Sequence, residues 1–198
     1  MIGKLKKYYT GNIKADCIQI YSAYGNYTVL SHVKDVAEMA VSLSKKENTI
    51  LEKIKTAAYL HDISVVIPRA DYALICKKYN IEVLDIEKEL PILMHQKVSG
   101  IIAKEIFKID DTDIVSAISC HTTLKANPSE FDKLIFIADK LAWDQKGEPP
   151  FKKNVEIALT DSINAACLVY IDYIINNNII IKPHPDLLSA RVWLKEHL

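Results

Sequence analysis

The chain has 198 residues, 49% of them hydrophobic, and its 25 Lys and Arg residues balance 25 Asp and Glu residues. This length and apolar content predict one compact domain over 1–198, and the balanced charge argues against nucleic-acid or membrane partners. No apolar run approaches the roughly 18 residues of a bilayer span, and the amino terminus shows no signal-peptide pattern, so we expect a cytoplasmic protein.

Apolar residues recur at three- and four-residue spacing through most of the chain. This periodicity predicts an all-α fold of roughly eight to ten helices. A Thr49–Glu52 capping box, Pro91 in a first turn, and Asp111 or Thr112 as an N-cap mark three of the helix starts. The predicted helices lie at about 27–46, 49–62, 68–79, 91–107, 112–121, 129–143, 152–176 and 184–198, with loops at 122–128 and 144–150.

Five ionisable residues fall on the apolar stripes of five different predicted helices: His32, His61, His95, His121 and Asp139. Any one histidine could be an ordinary, satisfied core residue. A buried carboxylate is harder to explain, because without a partner it costs several kcal/mol, and neither Lys nor Arg shares the stripe of Asp139. Convergence on a divalent metal would offset that cost, and imidazole with carboxylate suits Fe, Mn, Zn or Co.

Asp62 directly follows His61. Consecutive side chains of a helix diverge, so both residues can reach one centre only near a helix end. The Asp62 carboxylate can then bridge two metals, and a two-metal site can neutralise phosphoryl oxygens during hydrolysis. The sequence therefore predicts a dinuclear site for phosphate chemistry.

In chain order, His32, the His61–Asp62 pair and Asp139 resemble the pattern of the HD superfamily. More narrowly, LHDI at 60–63, MHQK at 94–97, HTT at 121–123 and FIADK at 136–140, followed by WDQ, resemble the bacterial YqeK family. The resemblance covers about 27–173, and the carboxy-terminal helix at 184–198 follows it. It implies one HD-type phosphohydrolase domain.

The YqeK-like resemblance also implies an activity, namely symmetrical hydrolysis of diadenosine tetraphosphate to two ADP. It implies two divalent transition metals, with iron expected and Mn, Co or Zn as alternatives. One metal would be held by His32, His61, Asp62 and Asp139, and the other by His95, His121 and the bridging Asp62.

Residues near the expected metals are candidates for handling phosphate. We assign Asp62, Lys97 and Thr122 to catalysis, and Thr123, Lys140, Trp143 and Lys146 to substrate binding. Each has an alternative: the threonines could simply form a helix C-terminal turn, the lysines could be solvated, and Trp143 could belong to the core or a lid.

Two positions depart from the family pattern. Val65 stands three residues after Asp62, where many HD enzymes carry lysine, and the loop after Asp139 reads WDQKG instead of a Glu-Pro-Gly-Arg-like segment. Lys146 or Lys97 could take over the charge neutralisation, although lysine lacks the bidentate fork of arginine.

Two other functions stay open. One is an HD phosphohydrolase acting on nucleoside mono- or triphosphates, cyclic nucleotides or alarmones. The other is a non-catalytic, metal-stabilised protein that binds a nucleotide. In each case the expected partner is a small-molecule nucleotide, and a homodimer also stays open.

Overall fold

The computed structural model describes residues 1–44, 48–180 and 182–198, apart from the side chains of residues 48 and 49. Helices are the only regular secondary structure in those residues, which confirms the predicted all-α fold class. The α-helices are α1 (Ile13–Ala23), α2 (Tyr27–Ser44), α3 (Asn48–Leu60), α4 (Tyr72–Lys78), α5 (Asp85–Glu89), α6 (His95–Glu105), α7 (Thr112–Cys120), α8 (Glu130–Leu141), α9 (Lys152–Asp161), α10 (Ile163–Asn176) and α11 (Pro185–Glu196). Short 3₁₀ helices cover Ile2–Tyr8, Ile63–Val66, Arg69–Asp71 and Pro91–Met94. Within the described ranges, no helix is both long enough and apolar enough to cross a membrane.

The prediction of a single helix over 152–176 is wrong, because the helix is interrupted at Ser162, between α9 and α10. This residue is fully extended, with φ −163° and ψ 161°. Its Oγ accepts a hydrogen bond from Ala165 N at 3.0 Å and so caps the start of α10. The predicted Thr49–Glu52 capping box and the end of the helix at 45–46 lie outside the described residues.

Two predicted helix starts agree with the structure, and both belong to helices that lead to site residues. Ser129 and Asp132 form a reciprocal capping box at α8: Ser129 Oγ accepts from Asp132 N at 3.0 Å, and Asp132 Oδ2 accepts from Ser129 N at 2.9 Å. Asp111 caps α7 by accepting from Asp113 N at 3.0 Å. The two caps determine where α8, which carries Asp139, and α7, which ends just before His121, begin.

Helix α8 lies in the middle of the bundle and is buried on more than one side. Ile135 and Ala138 belong to a core cluster shared with α2, α3, α6 and α7, whereas Phe136 and Ile137 belong to a cluster shared with α9, α10 and α11. Burying one such isoleucine or phenylalanine is worth roughly 1.5–3 kcal/mol. Packing on both sides holds the end of α8, and therefore Asp139, in the interior.

Candidate metal centre

The structure brings six of the predicted site residues together: His32, His61, Asp62, His95, His121 and Asp139. Ligand atoms of His32, His61 and Asp62 all lie within 4.8 Å of one another, and so do those of Asp62, His95 and His121. Asp139 joins the first group through its Oδ1, which lies 2.9 Å from His32 Nε2. Asp62 is common to both groups, so its carboxylate lies between two candidate metal positions.

Helix ends explain how consecutive residues reach this centre. Helix α3 stops at Leu60, and Asp62 adopts φ −107° and ψ 14° before the next 3₁₀ turn. The His61 and Asp62 side chains are therefore free of the divergence that a continuous helix would impose. His95 opens α6, and His121 directly follows α7.

All four imidazoles share one arrangement, in which the Nδ1 hydrogen is donated to a backbone carbonyl. The pairs are His32 with Ala142 at 3.1 Å, His61 with Ala58 at 2.7 Å, His95 with Ile92 at 2.6 Å and His121 with Ile118 at 2.7 Å. A carbonyl oxygen can only accept, so the neutral tautomer carries its lone pair on Nε2. Each Nε2 faces the centre, which is the arrangement that metal-ligating histidines ordinarily show.

The Nε2 atoms crowd together at the centre, and that of His61 has no hydrogen-bond partner among the described residues. His61 Nε2 is buried without a hydrogen-bond partner, 3.6 Å from Asp139 Oδ1 and 3.7 Å from Asp62 Oδ2. His95 Nε2 and His121 Nε2 lie only 3.0 Å apart. Acceptors that crowd together in this way need a cation between them. The residues present therefore fit divalent metal ions.

The ionisation of the two carboxyl groups at the centre also favours metal binding. Burial opposes ionisation of Asp62, but His61 and His121 hold the pKa of its carboxyl well below the usual range. Burial likewise opposes ionisation of Asp139, but the neighbouring Lys140 and His32 have a larger effect and lower the pKa of that carboxyl. Both side chains are therefore carboxylates, the charged ligands that hard and borderline cations prefer.

The two histidines buried deepest in the centre differ in basicity. Burial lowers the pKa of His61, but the neighbouring Asp62 and Asp139 outweigh it and raise the pKa to about 9. Burial also lowers the pKa of His121, to about 4, and the nearby His61 and His95 rings add to that effect. A proton on His61 partly substitutes for a cation, so metal binding at this position must displace it.

Two of the predicted phosphate-handling residues lie at the edge of the centre. Lys140 Nζ lies 2.5 Å from Asp139 Oδ2 and 5.4 Å from the centre of the Phe136 ring. Thr122 Oγ1 lies 3.0 Å from His95 Nε2, the lone-pair nitrogen, so the hydroxyl can donate to it. Each side chain contacts a residue of the centre, and the phosphate-handling roles of both stay predictions.

The structure places Lys97 and Thr123 in contacts with other parts of the chain, and their assignments to catalysis and substrate binding stay predictions. Lys97 Nζ lies 2.7 Å from Glu87 Oε2. Because Glu87 is fully buried, its charge needs this cation. The Thr123 hydroxyl donates to Leu124 O at 2.9 Å and accepts from Gln96 at 3.0 Å. Neither side chain is directed at the centre.

Trp143 and Lys146 lie in the segment after α8. Trp143 packs edge-to-face on Phe151 with ring centres 5.8 Å apart, which agrees with the alternative of a core or lid role. The Ala142 carbonyl just before it holds His32, so this segment also supports the centre. Lys146 is exposed.

The structure also shows a surface cavity and a buried polar residue that the sequence prediction omits. A surface cavity of about 940 Å³ between α1, α2 and α3 is lined by Lys34 and Tyr59, among others, and by none of the six site residues. Gln96 is fully buried next to His95 and bonds to the segment after His121. The available signal was a polar residue directly beside a predicted ligand.

The fold and the site define an all-helical protein whose histidine and aspartate groups could hold divalent metals. The sequence profile of the HD domain matches residues 29–144, more than half of the chain. The chain therefore belongs to the HD domain family.

The chain is also similar to several known proteins. A Lactococcus lactis subsp. cremoris protein, described as an uncharacterized protein in the pepC 5' region, is 41% identical over 78% of this chain and 80% of its own. A symmetrical bis(5'-nucleosyl)-tetraphosphatase of Halalkalibacterium halodurans is 25% identical over 80% of this chain and 84% of its own. A Clostridium acetobutylicum crystal structure, described as a predicted HD superfamily hydrolase involved in NAD metabolism, shares the fold with TM-score 0.76 and 24% identity, covering 100% of this chain and 98% of that one. The chain is therefore an HD-superfamily hydrolase.

Proposed function

We propose that this protein is a metal-dependent phosphohydrolase that cleaves dinucleoside tetraphosphates symmetrically and releases two ADP from diadenosine tetraphosphate. The observation that carries the proposal is the set of four imidazoles with Nε2 turned inward around two carboxylates. The relative from Halalkalibacterium halodurans, named for this reaction, supports the choice of substrate.

We assign His32, His61, Asp62 and Asp139 to one metal, and His95, His121 and the shared Asp62 to the other. Bound divalent metals would lower the pKa of water and neutralise phosphoryl oxygens. Nitrogen and oxygen donors suit iron, the expected metal, as well as Mn, Co or Zn. The neighbouring Cys120 adds no thiolate, because burial raises the pKa of its thiol.

Side chains at the edge of the centre can assist the leaving group. Symmetrical cleavage needs attack at an inner phosphorus, so that ADP leaves with additional negative charge. The Lys140 ammonium, whose pKa Asp139 raises despite burial, can neutralise that charge. The Thr122 hydroxyl can donate a hydrogen bond to a phosphate oxygen and so help to orient the chain of phosphates.

Product analysis tests this function. The full-length protein, loaded with Fe²⁺ or Mn²⁺, is given diadenosine tetraphosphate and a panel of nucleoside mono- and triphosphates, cyclic nucleotides and alarmones. We expect ADP as the sole nucleotide product of the tetraphosphate. In oxygen-18 water, label should enter the terminal phosphate of one of the two ADP molecules. Formation of AMP and ATP would contradict symmetrical cleavage.

Val65 favours a second candidate, a protein that holds metals and binds nucleotides without turning them over. Its side chain is 39% exposed at the position where many HD enzymes carry a lysine. The same panel separates the two candidates, since this one requires nucleotide binding by the metal-loaded protein with no product from any nucleotide.

A further inference from the structure

Helix α6, which begins with His95, carries two buried polar residues, Gln96 and Ser99. Both are almost completely inaccessible to solvent. A polar side chain buried in this way normally has a hydrogen-bonding task. In both cases the partner belongs to a segment that carries another residue of the candidate metal centre.

Gln96 ties α6 to the segment that follows His121. Its Oε1 accepts from Thr122 N at 3.0 Å and from Thr123 N at 3.3 Å, and its Nε2 donates to Thr123 Oγ1 at 3.0 Å. The two backbone donors on one oxygen determine which way the amide points. Gln96 therefore links its neighbour His95 to His121 through three hydrogen bonds.

Ser99 ties the same helix to the segment after Asp62. Its Oγ accepts from the buried Ser64 N at 3.1 Å, two residues beyond Asp62. One residue further along, a Cβ at Gly100 would lie 2.0 Å from Ser119 Oγ, so α6 and α7 contact each other closely there. Positions 96, 99 and 100 have the spacing of one helix face. This face contacts both neighbouring segments.

We infer that Gln96 and Ser99 are positioning residues for the second metal position, the one formed by Asp62, His95 and His121. The inference rests on the proposed dinuclear centre. Neither residue contributes a ligand; each fixes the backbone from which a ligand projects. The first position differs, because His32 is held by Ala142 and Asp139 projects from α8. Loss of such outer partners weakens metal binding by about 10–100-fold.

Calorimetric titration of the metal-free protein with Co²⁺ tests the inference. Gln96→Leu removes the acceptor for the amides of Thr122 and Thr123 but keeps a side chain of similar size. Ser116→Ala is the matched control, since Ser116 Oγ donates to Asp132 Oδ1 at 2.6 Å, between α7 and α8. This bond joins two inner helices without touching either metal position.

We expect two Co²⁺ ions in the wild type. Gln96→Leu should weaken only one of them, by about 10–100-fold, while Ser116→Ala keeps both near wild-type affinity. Circular dichroism of the metal-free variants checks that the fold persists, and if Gln96→Leu does not fold, Gln96→Met, which also lacks the acceptor, should show the same selective loss.

Each other outcome has a definite meaning. A wild type that binds no Co²⁺ contradicts the proposed centre itself. A wild type with two ions, together with a Gln96→Leu variant of unchanged affinity, contradicts the positioning role alone. Equal weakening of both ions, or the same loss in Ser116→Ala, would show a general structural effect and also overturn the inference.

Discussion

His95 Nε2 and His121 Nε2 lie 3.0 Å apart, although both rings already donate their Nδ1 hydrogens to backbone carbonyls. In the neutral state, two lone pairs therefore face each other. The Asp62 carboxylate lies 3.5 Å from both nitrogens through the same oxygen, Oδ1. Such a group of acceptors repels itself unless a cation is shared among them, and the stability of the protein should therefore depend on metal.

Chelation should lower the melting temperature. A ligand that binds only the folded state stabilises it by mass action, by about 2.7 kcal/mol at a hundredfold excess over the dissociation constant. Thermal unfolding followed with EDTA, and again after addition of Mn²⁺, measures the effect. Identical melting temperatures under both conditions would mean that the fold does not bind metal at this centre.

Asp62→Asn should remove metal binding and activity together. The amide keeps the size of the side chain but loses the charge shared by both positions. Turnover should fall by more than about a hundredfold, beyond the range for outer partners of a metal site. Metal analysis and circular dichroism should show an empty but helical protein, with Asp144→Asn as the exposed control. Activity within threefold of wild type would show that Asp62 does not link the metals.

Lys97→Met should reduce stability much more than catalysis. It leaves the buried Glu87 carboxylate without the cation 2.7 Å away, and breaking a buried ion pair from one side costs about 3–5 kcal/mol. Lys140→Met, at the edge of the centre, should show the opposite pattern, with kcat/KM reduced tenfold or more. Urea unfolding and steady-state kinetics on both variants make the comparison. A larger kinetic loss in Lys97→Met would instead support its predicted catalytic role.

Glu87 should contribute stability that is lost in acid. Burial raises the pKa of its carboxyl, but the His184 ring 3.5 Å away and the hydrogen bond from Lys97 outweigh this and lower the pKa from 4.5 to about 2. A lowered pKa means that the carboxylate stabilises the fold above about pH 4.5 and progressively less as the pH falls towards 2.

Urea unfolding of wild type and Glu87→Gln from pH 7 to pH 3 measures this contribution. The difference in free energy of unfolding should stay constant down to about pH 4.5 and then shrink by about 1.4 kcal/mol for each pH unit. Glu89→Gln is the surface control, because Glu89 pairs with the exposed Lys182. A difference that stays the same at every pH would show that Glu87 has an ordinary pKa.

Local patterns in the sequence were sufficient to predict the all-α fold class, several helix starts and the convergence of the six site residues. Ser129 and Asp111 cap helices because capping depends on neighbouring residues alone. Each histidine of the centre lies on an apolar stripe, and apolar stripes of different helices meet in one core.

Other features depend on tertiary packing, which periodicity does not reveal. Helix α5 has five residues, too few for a periodic pattern, so the pairing of Glu87 with Lys97 was not foreseen. The hydrogen bonds of Gln96 depend on how α6 packs against α7 and the segment that follows it. At Ser162 the apolar pattern continues across the break, and only the capping side chain marks it.

Anomalous diffraction from crystals grown with Mn²⁺ tests the dinuclear centre most directly. We expect two peaks on either side of the Asp62 carboxylate, one against His32, His61 and Asp139, the other against His95 and His121. The four Nε2 atoms should be the nitrogen ligands. Crystals with no peak at these nitrogens, grown from protein that keeps the helical fold, would contradict the proposed metal centre.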